Sequence, residues 1–87
     1  MEKDEELEVG KIIHCFPKIG VAIIKVTDAS IKVGDEIHIK GKTTDFRQKV
    51  DSMQVEHEKI EIAESGLEIG LKVEHSVREN DLVLKPV

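Results

Sequence analysis

The stretch "GDEIHIKGKTTDF" (residues 34–46) decides how this chain folds. Gly41-Lys42-Thr43 spells the last three letters of a phosphate-binding loop. That loop reads Gly-x-x-x-x-Gly-Lys-Ser/Thr, and its backbone wraps the phosphates before a helix whose N-terminus faces the anion. Five residues before Gly41 stands Glu36, whose side chain and negative charge both oppose a phosphate. Thr43 is followed by another turn and a β-rich segment rather than a helical pattern. The stretch therefore reads as strand, turn, strand. Ile37 and Ile39 point inward, His38 points outward, and no nucleotide is bound.

The same period of two extends outward in both directions. Leu7, Val9, Ile13 and Cys15 share parity over residues 7–15, and "FPKIG" (16–20) punctuates with Pro17 and Gly20 as a hairpin turn does. "VAIIKV" (21–26) is apolar on both faces and rich in β-branched residues, as in a strand buried on both sides. Gly34 sits in a turn, at positive φ, ahead of the strand 36–40. In "FRQKVDSMQVEHE" the apolar parity changes between Val50 and the pair Met53 and Val55, and a β-bulge near Asp51-Ser52 would return all three to one face. "KIEIAESG" (59–66) reads either as a loop or as a single helical turn. Leu67, Ile69, Leu71 and Val73 alternate cleanly around Gly70, an interior strand glycine of the kind that marks a bulge or a close backbone approach. "DLVLK" (81–85) is a last short strand. About six strands without a helix imply an all-β fold, a small closed antiparallel β-barrel over residues 7–87, preceded by a frayed acidic tail over residues 1–6.

Eighty-seven residues make one domain, which buries roughly 60–65% of its unfolded surface. Phe16 and Phe46 are the aromatic residues, and Trp and Tyr are absent, so the stacking platforms usual in single-strand nucleic-acid binders are missing. The acidic start and the lack of an apolar run of about 20 residues argue against a signal peptide or a membrane span. The lone Cys15 permits no internal disulfide, which points to the cytoplasm. The net charge of −5 is unevenly spread. Residues 1–10 carry −4, residues 11–49 carry +4 and residues 50–87 carry −5. Lys40, Lys42, Arg47 and Lys49 cluster in the basic third. They read as a solvated hairpin tip, or as a patch facing RNA or an acidic partner.

Catalytic patterns are imitated without being completed. "HEKIE" (57–61) resembles the zinc-protease His-Glu-x-x-His, but its fifth residue is Glu61 and no helix carries it. His14 and Cys15 are neighbours on a strand and point to opposite faces, so they cannot pair as thiol and imidazole. Cys15 reads as a small core residue. His38 and His75 have no spaced partner that suggests ligation. The expectation is a non-enzymatic protein with no cofactor and no metal.

The blocks "IKVGDEIHIKG" (31–41), "AESGLEIGLKV" (63–73) and "VRENDLVLKP" (77–86), in that order, resemble the second domain of the translational GTPases, the β-barrel of elongation factor Tu and its relatives. The resemblance runs from about Val9 to Val87 and is nearest to small stand-alone elongation-factor-like proteins. The accessory C-terminal barrels of collagenase-like peptidases look similar as well. Against the elongation-factor pattern, the positions that hold the aminoacyl end of tRNA align with Gln54 and Glu68, where both chemical types are changed. Two functions follow from these resemblances. One is a binding barrel for tRNA or a ribonucleoprotein, with phosphate contacts from Lys40, Lys42, Arg47 and Lys49. The other is a protein-interaction or accessory subunit, supplied to a peptidase-like or GTPase partner.

Overall fold

A computed structural model describes residues 5–86. Ten short strands follow one another, β1 (Glu6–Phe16), β2 (Val21–Val26), β3 (Ile31–Lys32), β4 (Glu36–Lys40), β5 (Asp45–Lys49), β6 (Met53–Val55), β7 (Glu58–Ile60), β8 (Ile62–Ala63), β9 (Glu68–Lys72) and β10 (Leu82–Pro86). Eight of them form one curled antiparallel sheet in the order β5-β4-β10-β1-β2-β9-β6-β7, and β3 pairs with β8 as a separate ribbon. The all-β expectation holds. The barrel is not closed by a ladder, however, because β5 and β7 are the two ends of the sheet.

Strand β1 explains the largest error in the expected core. It pairs with both β10 and β2, and its register shifts once against each, between Glu8 and Gly10 and between Ile12 and His14. Each bulge inverts the parity of the residues beyond it. Ile12 therefore becomes fully buried where Ile13 was expected, and Leu7 is 46% exposed at the rim. In the alternating segment 67–73 Ile69 and Leu71 point inward, whereas Leu67, just ahead of β9, is 38% exposed and Val73 is half-buried. Val26, Ile37, Ile39, Ile69, Leu71 and Val83 are all fully buried in one aliphatic core.

The segment read as one bulged strand is two strands that belong to opposite ends of the sheet. Strand β5 ends at Lys49, and Asp51 and Ser52 carry the chain across to β6, which pairs with β9. Val50 and Met53 are both buried on either side of this crossing, which accounts for the parity change. "KIEIAESG" holds β7 and β8 rather than a helical turn. The hairpin at 16–20 forms, with Gly20 N–H donating to the Phe16 carbonyl, and Gly34 lies at φ 96°. Gly70 marks no close approach, since a Cβ there would make ordinary contacts at 3.8 Å. Strand β1 already begins at Glu6, inside the stretch expected to fray, and residues 1–4 lie outside the described residues.

Glu56 and His57 join β6 to β7 in a two-residue hairpin, and both have positive φ, 51° and 69°. That geometry matches a turn preferring Asn-Gly, because other side chains crowd the backbone there. The turn places His57 of "HEKIE" at a hairpin tip, whereas the zinc-protease spacing works by setting its residues on one face of a helix. Replacing the pair with Asn-Gly (Glu56→Asn with His57→Gly) should stabilise the fold by about 1 kcal/mol. A urea titration of the double variant checks this, and an unchanged or lower midpoint would show that the turn is not strained.

Candidate functional site

Two features stand out, a cleft at one end of the sheet and a charged cluster on its outer face. The cleft measures about 790 Å³ and is open to solvent. One wall is the β1–β2 hairpin, with Cys15, Pro17 and Gly20, and another is Thr43 and Thr44 ahead of β5. The third wall is the segment from Val73 to Arg78 that comes after β9. This segment is held on one side by the Val73 N–H, which donates to the Gly20 carbonyl at 2.9 Å. On its other side it meets no strand.

It meets a side chain instead. Gln48 of β5 points inward and is 6% exposed. Its Nε2 donates to the Lys72 carbonyl at 2.9 Å, and its Oε1 accepts from the Glu74 N–H at 2.8 Å. One amide group thus replaces the two hydrogen bonds that a neighbouring strand would have made. Two residues along, Phe46 packs edge-on to His75 with ring centroids 4.8 Å apart. The seam between β5 and the end of β9 is therefore closed by side chains. Cys15 lines the cleft as a half-buried free thiol, packed against the core, while its neighbour His14 faces solvent beside Glu79 at 3.6 Å.

The charged cluster lies across β1, β10, β4 and β5. His38 is 7% exposed, not outward in solvent as its position suggests. Glu6 Oε2 lies 2.9 Å from its Nδ1, and Asp45 Oδ1 is hydrogen-bonded to its Nε2. Each ring nitrogen of His38 thus faces a carboxylate, one from β1 and one from β5. The hydrogen bond from His38, with the charges of His38, Lys40 and Arg47, holds the Asp45 carboxyl below the usual aspartate range, against the opposing effect of burial. Arg47 Nη2 reaches Glu6 at 3.3 Å. The partners of His38 come from 32 residues upstream and 7 downstream, a separation that no local spacing rule detects.

Carboxylates stand beside much of the basic run. In the ladder Lys40 stands opposite Asp45, and Lys49 stands opposite Glu36. Lys40, Arg47 and Lys49 are exposed on that face, but each has a carboxylate opposite or in contact, and Lys42 stands at the hairpin tip. Cross-strand pairs of opposite charge are the usual way a sheet face is stabilised. Gln54 lies opposite Gly70 on β9, and Glu68 lies opposite Lys25 on β2. Both are exposed and neither lines the cleft.

A second ion pair fastens the turn before β4. Lys85 Nζ bonds Asp35 Oδ2 at 2.9 Å and the Ser30 carbonyl at 3.1 Å. Burial raises the Asp35 pKa, but bonds from Lys85 and the Lys32 N–H, with their charges, outweigh it and leave the carboxyl below its ordinary 3.8. A depressed folded value contributes stability above the unfolded value, and that stability is lost as pH falls through the folded one. Asp35→Asn should therefore lose about 1 kcal/mol at pH 7 and unfold with a shallower acid dependence below pH 4. Denaturation midpoints at pH 7, 4 and 3 check this, and parallel curves for the two proteins would refute it.

No family model matches the chain. An uncharacterized protease of Methanocaldococcus jannaschii is 40% identical over 82 residues, which cover 93% of this chain and 20% of that protein. A collagenase of Porphyromonas gingivalis is 36% identical over 78 residues, covering 88% of this chain and 19% of the collagenase. The chain thus spans about a fifth of the length of these relatives. The crystallised C-terminal domain of a putative U32 peptidase from Geobacillus thermoleovorans superposes with a TM-score of 0.84, over 100% of this chain and 99% of that domain. Its selenomethionine variant gives 0.85 over 91% of this chain. At 18% identity these two structures show the fold alone. The findings overturn the elongation factor Tu resemblance, and with it the tRNA or ribonucleoprotein partner and the pocket that nominated Gln54 and Glu68. The turn glycines and alternating strands that carried that resemblance describe a small β domain, not the ligand of one family. The similarity to the C-terminal barrels of collagenase-like peptidases is the one the comparisons support.

Proposed function

We propose that this β domain is a non-catalytic accessory module of the kind that ends a collagenase-like peptidase, serving protein–protein contact rather than peptide-bond chemistry. The observation that carries this reading is the pair of coverages, nearly all of this chain against a fifth of each protease. A unit of that share supplies one domain of a larger enzyme. The side chains agree with it. In the cleft the thiol of Cys15 is half-buried against the core, and His75 is engaged by the Phe46 ring. His38 is held between the Glu6 and Asp45 carboxylates on the outer face. The setting is cytoplasmic, where a lone thiol stays reduced. Among the described residues, no helix is long and apolar enough to cross a membrane.

The test has two arms. The purified chain is incubated with gelatin and with a quenched fluorescent peptide, and no turnover above buffer is expected. In parallel, the matching fifth of the Methanocaldococcus protease is deleted, or exchanged for this chain, and proteolysis is measured. Deletion should lower activity, and the exchange should recover it. Hydrolysis by the isolated chain, or full activity of the deleted protease, would rule the accessory reading out.

A further inference from the structure

The cleft beside the β1–β2 hairpin has two unlike halves. Cys15, Val73 and Val77 line it and pack in or against the aliphatic core, so they form a fixed apolar floor. Thr43, Thr44, Ser76 and Arg78 bring three hydroxyls and a guanidinium to the same space. Thr44 is only 4% exposed, so packing sets its position. A volume of about 790 Å³ lies within the roughly 300–1,000 Å³ usual for ligand sites, which combine an apolar lining with a few placed polar groups.

Two observations give the polar half its sign. The close charged pairs among the described residues use the carboxylates of Glu6, Asp35, Asp45 and Glu79, and none of them engages the Arg78 guanidinium. The wall that carries Arg78 is also short of main-chain partners. Its two anchors are the Glu74 N–H, which goes to Gln48, and the Arg78 N–H, which goes to Asp81. Between them, the N–H groups of His75, Ser76 and Val77 form no main-chain hydrogen bond among the described residues. Hydroxyls, a guanidinium and peptide N–H groups can all donate, so this half suits an anionic acceptor. Glu74 is the one acid that lines the cleft, and a second negative charge on a ligand would face it. A singly charged carboxylate fits better than a doubly charged phosphate.

The approach is apolar as well. Phe16 and Ile19 are 48% and 66% exposed on the hairpin that supplies Cys15 and Pro17 to the cleft. A carboxylate at one end, an apolar side chain beside it and more chain behind describe the last residues of a polypeptide.

We propose that the cleft binds the C-terminal end of a polypeptide. The carboxylate meets Arg78 and the hydroxyls of Thr43, Thr44 and Ser76, and an apolar last side chain lies over Cys15 and Val73. Capture of a terminal carboxylate by main-chain N–H groups is a recurring mode of peptide recognition. The proposal deepens the accessory-module reading and rests on it for its purpose, because hydrolysis of a peptide bond leaves a new C-terminal carboxylate to hold. The binding itself is measured without any peptidase, so a failure here leaves the deletion and exchange experiment to decide the accessory reading.

The full chain, isotopically labelled, is titrated with acetyl-Gly-Ala-Gly-Ala-Val bearing a free carboxylate and followed by NMR at about 50 mM salt, where screening is modest. The amides of Cys15, Thr44, His75 and Ser76 should shift together and saturate. The same peptide ending in a carboxamide should bind about tenfold more weakly or worse, because charge-assisted hydrogen bonds become neutral ones. Arg78 is exposed, so Arg78→Gln should melt with the parent protein and bind the free acid no better than the carboxamide. An amidated peptide with an internal Glu, and inorganic phosphate, should both bind more weakly than the free acid. Equal binding of the carboxamide, of the internal-Glu peptide or of phosphate would overturn the proposal. So would an unchanged preference for the acid in Arg78→Gln, or no shift at the four amides up to millimolar peptide.

Discussion

Gln48→Leu should cost about 3 kcal/mol, lowering the melting temperature by about 15 °C for a domain of this size. Leucine keeps most of the buried volume, so the loss reports hydrogen bonding rather than a cavity. It strands the Lys72 carbonyl and the Glu74 N–H, both of which now bond the Gln48 amide. A main-chain group left without a partner costs about 1–3 kcal/mol where water cannot reach it, and the two left here are half-buried, which sets the loss at about 3 kcal/mol for the pair. Gln48→Glu separates the two bonds, because a carboxylate still accepts from Glu74 N–H but opposes the Lys72 carbonyl. Thermal unfolding followed by circular dichroism decides the matter. A melting temperature within about 3 °C of the parent for Gln48→Leu would show that water substitutes at the seam, and that Phe46 and His75 alone hold it.

The second large effect concerns the glycine that first suggested a phosphate loop. A Cβ built on Gly41 would overlap the Asp81 carboxylate. That carboxylate cannot retreat freely, because its Oδ2 accepts from the Arg78 N–H at 2.9 Å and Asp81 is 5% exposed. The Asp81 carbonyl also accepts from the Ile12 N–H, which ties the turn to β1. Gly41→Ala should therefore destabilise by about 2–3 kcal/mol, the cost typical of overpacking a filled site. Asp81→Ala alone should lose about 1–2 kcal/mol as its turn bond goes. The double variant should be less unstable than the sum, because the overlap disappears with the carboxylate. Additive losses in a urea double-mutant cycle would mean that Gly41 is needed for its backbone rather than for the close approach. In either case Gly41 faces a carboxylate, the reverse of what an anion site requires.

Local alternation was enough to read the strands around Ile37, Ile39, Ile69, Leu71 and Val83, since a half-buried strand must place apolar residues at every second position. It failed at Ile12 and Ile13, because a bulge moves parity without leaving a composition signal. It failed again between Val50 and Met53, where what looked like one bulged strand crosses from one end of the sheet to the other. The basic run Lys40, Lys42, Arg47 and Lys49 was legible as charge. The carboxylates set against it come from Glu6, Glu36 and Asp45, and Glu6 and Glu36 both lie before the run begins.

The sequence by itself determined the all-β class, the turns at 16–20 and at Gly34 and the failure of the phosphate-loop pattern, because each depends on neighbours within a few residues. Only the tertiary structure decided that the sheet stays open, that Gln48 bridges its seam and that His38 is enclosed by Glu6 and Asp45. Those contacts join residues 7 to 32 apart. The energy of such a contact depends on where two strands end up side by side, and the chain carries no local mark of that meeting.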